Sequence, residues 1–250
     1  MPQPPAAPGR RRILAAGLVA AGTVLLPTAG SRAPAQEGTP PETPPAGEGA
    51  GPVDLELLLA LDGSESISTN TLAFQLRGHA AAFREPSVVE AITRGPRGAI
   101  AVAAVAWSGP GRIDPLVPWA RVHDPLSSVA FAGAIDAAPR DVRLGSTAIG
   151  SAIVGCLPLF EGNGFAAPRR TIDLVSNGFS NSGLATDKAR AAAEVAGVTV
   201  NALAILNEFP WLEDYFRAEV IAGLGAFTRS AADYDSFAEA LRAKLIEEIV

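Results

Sequence analysis

Residues 53–66 of the chain read VDLELLLALDGSES, and this stretch decides the fold class. Its first nine residues are apolar apart from two acidic positions, a pattern typical of a central strand buried on both faces of a sheet. Asp62, Ser64 and Ser66 follow at alternate positions, at the carboxyl end of that strand. One carboxylate and two hydroxyls suit a hard cation such as Mg²⁺. An ordinary turn that caps the next helix is the alternative interpretation.

Apolar runs alternate with helical patterns through the rest of the chain. The runs that predict further strands are residues 99–107, 113–119, 170–176, 198–206 and 226–230. The turn between the first two of these runs is too short for a crossover, so we expect those strands to be antiparallel. We therefore predict one α/β domain over residues 53–250: a Rossmann-like, mostly parallel sheet of about six strands, with one short antiparallel edge strand and helices on both faces.

The composition excludes several function classes. A formal net charge of −6 argues against nucleic-acid binding. One cysteine and two histidines cannot supply a disulfide framework, a cysteine-based zinc site or a histidine-rich metal site. A metal would therefore be held mainly by oxygen, which points to Mg²⁺, Mn²⁺ or Ca²⁺.

The first 52 residues differ from the rest. Three arginines at 10–12 precede a weakly apolar run at 13–26, which is shorter than the ~20 residues that a spanning helix needs. Together with small residues at 33–35, these features predict a signal peptide over residues 1–35, exported by the Sec or the twin-arginine route. Residues 36–52 are rich in Pro, Gly and Glu and predict a disordered linker. Retention of the apolar segment as a membrane anchor is the alternative.

The loop after the first strand resembles the metal-ion-dependent adhesion site (MIDAS) of the von Willebrand factor type A (vWA) domain. That family adds a threonine before a mid-domain helix, which Gly145-Ser146-Thr147 matches, and an aspartate after the fourth strand, where this chain has Asn177. The stretch 53–250 also resembles a group of exported bacterial vWA-like proteins of unknown function. The resemblance implies a vWA-like fold and a MIDAS-like cation site, whose residues here are Asp62, Ser64, Ser66, Thr147 and Asn177.

Asn177 departs from the family pattern. In that pattern the serines and the threonine contact the metal directly, and a Glu or Asp carboxylate of a partner protein fills an open position on the ion. An asparagine offers a neutral amide oxygen in place of a carboxylate, so we expect a weak, partly degenerate site for Mg²⁺, or for Mn²⁺ or Ca²⁺. A metal-free structural or scaffold module is the alternative.

Sequence motifs for catalysis are missing. There is no Gly-x-Ser-x-Gly turn and no glycine-rich phosphate loop with its lysine. We therefore predict a protein that is not an enzyme, with an uncharacterised hydrolase as a further alternative. Trp107, Phe179, Phe209 and Trp211 all follow strands on the side of the predicted site. We expect Trp107, Phe179 and Trp211 to form a partner-docking rim, although both tryptophans could instead cover edges of the core.

These patterns together predict a periplasmic or secreted module that binds another protein. No nucleic acid is expected as a partner, and the membrane is expected as one only if the N-terminal segment is retained as an anchor.

Overall fold

The computed structural model describes residues 50–64, 69–140, 145–233 and 236–250, with the side chains of residues 69–71 excepted. The predicted signal peptide, nearly all of the predicted linker, and Ser66 lie outside the described residues.

The described part of the chain alternates strands and helices, as its sequence predicts. The strands are β1 (Gly51–Pro52), β2 (Leu55–Asp62), β3 (Ile100–Trp107), β4 (Ile113–Val122), β5 (Phe165–Ala166), β6 (Arg170–Ser176), β7 (Thr199–Ile205) and β8 (Thr228–Ala231). The helices are α1 (Thr69–Arg84), α2 (Pro86–Arg94), α3 (Pro125–Asp136), α4 (Ile149–Cys156), α5 (Thr186–Val195), α6 (Leu212–Glu219) and α7 (Phe237–Ile249). No helix in these ranges has the length and apolar character needed to cross a membrane.

Six of these strands form one sheet in the order β4-β3-β2-β6-β7-β8. Neighbouring strands are parallel except for β3 and β4, which are antiparallel. The prediction of a mostly parallel sheet with one antiparallel edge strand is therefore confirmed. The edge strand β4 is ten residues long and continues past the predicted end at Trp119.

The core lies on both faces of this sheet, and β2 shows why. All eight residues of β2 are buried. Leu57, Leu59 and Leu61 pack toward α1, α3 and α7, whereas Leu58 and Ala60 pack toward α4, α5 and α6. Because burial of one leucine side chain stabilises the fold by about 1.5–3 kcal/mol, a strand that is apolar on both sides is stable only in the middle of such a sandwich.

The start of the folded domain differs slightly from the prediction. Gly51 and Pro52, which the sequence assigns to the linker, form β1 and pair in parallel with β5. The backbone N–H of Val53 then donates to the carbonyl of Ala166 at 3.0 Å. The ordered domain therefore includes the last two residues of the predicted linker.

Charged side chains are buried between the sheet and α7. Lys244 Nζ donates to the carboxylate of Asp173 on β6 and, at 2.5 Å, to Glu248 Oε1. Asn201 Nδ2 on β7 donates to the same Glu248 oxygen at 3.0 Å. Burial, together with the charge of Asp173, raises the pKa of Glu248 to about 8 in spite of Lys244. The folded protein therefore protonates Glu248 at a higher pH than the unfolded chain does.

Glu248→Gln is expected to remove a pH dependence of stability. Between its ordinary pKa near 4.5 and about 8, folded Glu248 holds a proton that the unfolded chain has released, so the free energy of unfolding falls as pH rises. One pKa unit corresponds to about 1.4 kcal/mol. Between pH 5 and 8 we therefore expect the free energy of unfolding to fall less in the variant than in the wild type, by at least about that amount. Urea unfolding at several pH values measures it. Glu247→Gln, at an exposed neighbour, is the control; equal pH profiles for the two variants would contradict the assignment.

Candidate functional site

The site predicted from the sequence lies where the strand order reverses. After β2 the chain passes to β3 on one side, and it returns later to β6 on the other side of β2. The helix that follows β2 covers one face of the sheet, and the helix that follows β6 covers the opposite face. A crevice is expected at the carboxyl ends of two strands related in this way. Asp62 ends β2, and Asn177 directly follows β6.

Asp62 is a fully buried carboxylate. Its Oδ1 accepts from the backbone N–H of Ser64 at 2.7 Å, and its Oδ2 accepts from the hydroxyl of Ser176 at 2.5 Å. Gln75 Nε2 on α1 donates to the Asp62 carbonyl at 3.1 Å. Burial raises the pKa of Asp62 to about 6, and the hydrogen bonds from Ser176 and Ser64 only partly oppose that effect. No lysine or arginine among the described residues offsets its charge.

Thr147 and Asn177 are joined by contacts between their loops. Asn177 is buried, and the N–H of the next residue, Gly178, donates to the Ser176 hydroxyl at 3.1 Å. A Cβ placed on Gly178 would lie 3.6 Å from Thr147 Oγ1. The backbone N–H of Thr147 donates to Asn181 Oδ1 at 3.0 Å, and the N–H of Asn181 donates back to the Thr147 carbonyl at 2.9 Å. The two loops are therefore held against each other at this edge of the sheet.

Close backbone approaches between loops also depend on glycine. A Cβ on Gly145 would lie 2.8 Å from the amide nitrogen of Gly109, which follows β3. A Cβ on Gly150, in the first turn of α4, would lie 2.2 Å from the carbonyl oxygen of Leu184. Because both obstructing atoms belong to backbone, they cannot move aside as the end of a side chain could. The loop after β6 thus packs on α4 at a distance that only glycine permits.

Gly150→Ala is expected to lower the free energy of unfolding by about 2–3 kcal/mol, since the added methyl overpacks against backbone. Gly133→Ala is the matched control, because Gly133 is also in a helix and a Cβ there would meet nothing within 4 Å. That control is expected to gain about 0.5–1 kcal/mol from helix propensity. Denaturant unfolding of both variants measures the difference. Equal effects would contradict the close packing.

The oxygen donors at this edge fit a hard cation, although they carry little charge. Asp62 and Ser64, at the end of β2, are linked through Ser176 to the loop that holds Asn177, and Thr147 packs on that loop. Within the described ranges, no group of three or more His, Cys, Asp or Glu residues is arranged to hold a metal. The candidate set therefore has one carboxylate, and its other oxygens are neutral.

Two residues that support the site were missed by sequence reasoning. Ser176 fixes one oxygen of Asp62, and Gln75 binds the Asp62 backbone. The sequence could have indicated Ser176, because this serine directly precedes Asn177 at the end of a strand that lies beside β2. Nothing in the sequence indicated Gln75, since a glutamine in a helix is ordinarily exposed.

His79 packs in the core. It is fully buried on α1, and its Nδ1–H donates to the carbonyl of Gln75 at 2.8 Å. Burial lowers its pKa, so the folded protein holds it as a neutral core residue.

The prediction that Trp107 belongs to an exposed rim is wrong. Its side chain is 1% exposed, and its Nε1–H donates to the carbonyl of Ala60 at 3.0 Å. Trp107 is the last residue of β3, where its ring faces the layer between the sheet and α4 and packs in the core. It covers the core edge, as the alternative interpretation had it.

Phe179 and Trp211 are exposed beside the site and belong to a larger group of rings. Their side chains are 38% and 48% exposed, and their ring centroids are 5.5 Å apart. Phe209 lies 5.3 Å from each of them, and Tyr215 of α6 lies 6.5 Å from Phe179 and 6.4 Å from Trp211. We call these four residues the aromatic cluster. Tyr215 was missed because α6 was not predicted.

The family model described as "Protein of unknown function (DUF1194)" matches residues 52–250. The chain belongs to this family. A comparison with curated proteins finds no match to it.

Solved structures of vWA domains share the fold of this DUF1194 chain. Proximal thread matrix protein 1 from the mussel byssus is 19% identical with a TM-score of 0.54, over 80% of this chain and 46% of that one. The pilus adhesin SpaC from Lactobacillus rhamnosus GG is 14% identical with a TM-score of 0.54, over 79% of this chain and 30% of that one. A von Willebrand factor type A structure from Catenulispora acidiphila is 17% identical with a TM-score of 0.54, over 79% of this chain and 43% of that one.

These comparisons confirm the vWA-like fold. The DUF1194 chain spans less than half the length of each of these three proteins. Another structure of the mussel protein has a zinc-occupied MIDAS motif.

Proposed function

We propose that this chain is an extracytoplasmic protein-binding module with a weak divalent-cation site at the carboxyl edge of its sheet. The observation that carries the proposal is the environment of Asp62. This carboxylate is buried with no cationic side chain of the described residues beside it, which is costly unless a cation compensates it. Its Oδ2 accepts a hydrogen bond from Ser176, the residue directly before Asn177.

The proposed cation is Mg²⁺, or Mn²⁺ or Ca²⁺, because the available donors are oxygens. Asp62, Ser64, Ser66 and Thr147 would hold it, with Asn177 in the outer shell. A cation with so little protein charge around it still attracts an anion, and a Glu or Asp carboxylate of a partner protein would supply one. When bound, the cation would supply an electrostatic bridge between the two proteins.

Two further observations support protein binding over catalysis. His79 is buried on α1 and bonds to the carbonyl of Gln75, and similar folds include a pilus adhesin and a byssus matrix protein with a metal-occupied MIDAS motif. The export signal proposed for residues 1–35 would deliver the domain to the periplasm or the medium. The alternative, a metal-independent scaffold, is favoured by Asn177, because its amide removes one of the two carboxylates of the family pattern.

Thermal unfolding with and without metal tests the proposal. With a dissociation constant near 1 mM, 10 mM Mg²⁺ would stabilise the folded chain by about 1.4 kcal/mol, and this corresponds to an increase of about 3–6 °C in Tm. We expect the Tm of the wild type to be higher in Mg²⁺ than in EDTA by that amount, and the Tm of Asp62→Asn to be the same in both. Asp187→Asn, at an exposed aspartate on α5, should respond like the wild type. Equal Tm values in Mg²⁺ and EDTA for the wild type would favour the scaffold.

A further inference from the structure

The aromatic cluster defined above adjoins the proposed cation site. Phe179 lies only two residues after Asn177, and the other three rings follow β7 and begin α6. Phe179 and Trp211 each expose more than a third of their side chains. Two large aromatic side chains exposed together are uncommon on a monomeric surface and are typical of a docking site.

The rings of the cluster lie in contact with one another. The centroid separations lie between 5.3 and 6.5 Å, in tilted or edge-to-face arrangements, which are the contacts that aromatic side chains prefer. Tyr215 is fixed in addition by its hydroxyl, which accepts from the N–H of Ser180 at 3.3 Å. The cluster is therefore a preformed platform whose outer ring surface faces solvent.

The chain segment that carries three of the four rings is acidic. Residues 207–219 contain four carboxylates, at 208, 213, 214 and 219, and one arginine. Arg217 is already paired with Asp214 at 2.6 Å and with Glu213 at 2.8 Å. Glu208, directly before Phe209, and Glu219 are exposed; burial raises the pKa of Tyr215, and the charge of Glu219 adds to that effect. Arg190 of α5 donates to the carbonyl of Ala218, next to Glu219, and Glu208 is thus the carboxylate nearest in sequence to the rings that has no arginine bonded beside it in the described residues.

We propose that the aromatic cluster docks an arginine side chain of the partner protein, beside the proposed cation site. A guanidinium group stacks on exposed aromatic faces and is attracted by the surrounding carboxylates. Arginine and aromatic residues are also the side chains enriched at protein interfaces. The inference rests on the proposed function only for the class of partner, because the platform itself needs no metal.

The geometry favours arginine over the other ligands that stack on aromatic rings. A carboxylate would be repelled by Glu208 and Glu219, and a neutral sugar would gain nothing from them. A compact quaternary ammonium is best held inside a cage of separated rings, whereas the rings of this cluster are in mutual contact. A planar cation needs only an exposed ring surface, and the side chain of Trp211 is 48% exposed.

An NMR titration tests the inference. The probe is the capped peptide Gly-Arg-Gly-Arg-Gly, added to the ¹⁵N-labelled chain in EDTA at low salt, with the indole N–H of Trp211 as the reporter. The same peptide with glutamate in place of arginine is the charge control, and cellobiose is the sugar control. We expect a saturable shift with arginine alone, at a dissociation constant below about 5 mM, and about fivefold weaker binding in Phe179→Ala.

Matched variants complete the test. Glu208→Gln is expected to weaken the binding of the arginine peptide and to reduce the salt dependence of that binding. Val195→Ala, at an exposed apolar residue on α5, should bind like the wild type. The inference is overturned if the glutamate peptide or cellobiose shifts Trp211 as much as the arginine peptide does, or if no probe shifts it at 10 mM. Since EDTA is present, a failed metal titration with a retained peptide shift would count against the proposed function alone.

Discussion

Replacing Lys244 with alanine is expected to lower the free energy of unfolding by about 3–5 kcal/mol, the largest loss from any single change considered for this chain. The ammonium group is fully buried and bonds to Asp173 and Glu248, which are also buried. Its removal leaves the carboxylate of Asp173 in an apolar layer without a counter-charge. An uncompensated buried charge costs far more than the pair itself contributes.

The design of this experiment separates the charge from the packing. Lys188→Ala is the control, since Lys188 lies exposed on α5 and its loss should change stability by no more than about 0.5 kcal/mol. In Lys244→Met the methionine side chain fills about the same space as the lysine, but Asp173 still has no counter-charge. The loss of stability should therefore persist. The double variant Lys244→Met with Asp173→Leu should recover much of it. If Lys244→Ala were no less stable than Lys188→Ala in urea unfolding, the buried ion pair would not have the importance assigned to it.

Asn177→Asp is expected to tighten Mg²⁺ binding at least about tenfold, because cation affinity at oxygen sites rises with the number of charged ligands. Asn177 is buried and directly follows Ser176, whose hydroxyl bonds to Asp62. A carboxylate there would place a second negative charge near the proposed cation. The same change should destabilise the metal-free chain by about 1–3 kcal/mol, since two buried carboxylates with no cation repel each other.

The control for this variant is Asn181→Asp, which adds the same charge to the same loop. Asn181 is exposed and its side-chain oxygen accepts from the backbone N–H of Thr147, a bond that an aspartate oxygen can also accept. Calorimetry with Mg²⁺ and unfolding in EDTA measure the two effects. If both variants bound Mg²⁺ equally, charge in the loop and not the position of residue 177 would be responsible.

Much of the fold could be predicted because its signals are local. The apolar run of β2 identifies a strand buried on both faces, and the short turn between β3 and β4 requires antiparallel pairing. The approach of Asp62 and Asn177 could also be predicted, because parallel strands end at one edge of a sheet.

The errors concern the direction of individual side chains. Trp107 ends a strand whose residues alternate between two covered faces, and nothing in its neighbours shows that its ring enters the core. Lys244 is misleading because a lysine in a helix is ordinarily exposed. Its position seven residues after Phe237 and three after Leu241 does place it on the inner stripe. Its partners Asp173 and Asn201 lie on other elements, so only the folded chain brings them together.

The central claim is that Asp62 belongs to a divalent-cation site, and calorimetric titration of the chain with Mg²⁺ and Mn²⁺ tests it most directly. The wild type is predicted to bind one ion per chain, and Asp62→Ala is predicted to bind none. Asp187→Ala, which removes an exposed carboxylate on α5, should bind like the wild type. Absence of binding to the wild type at millimolar metal, or equal binding by Asp62→Ala, would contradict the claim.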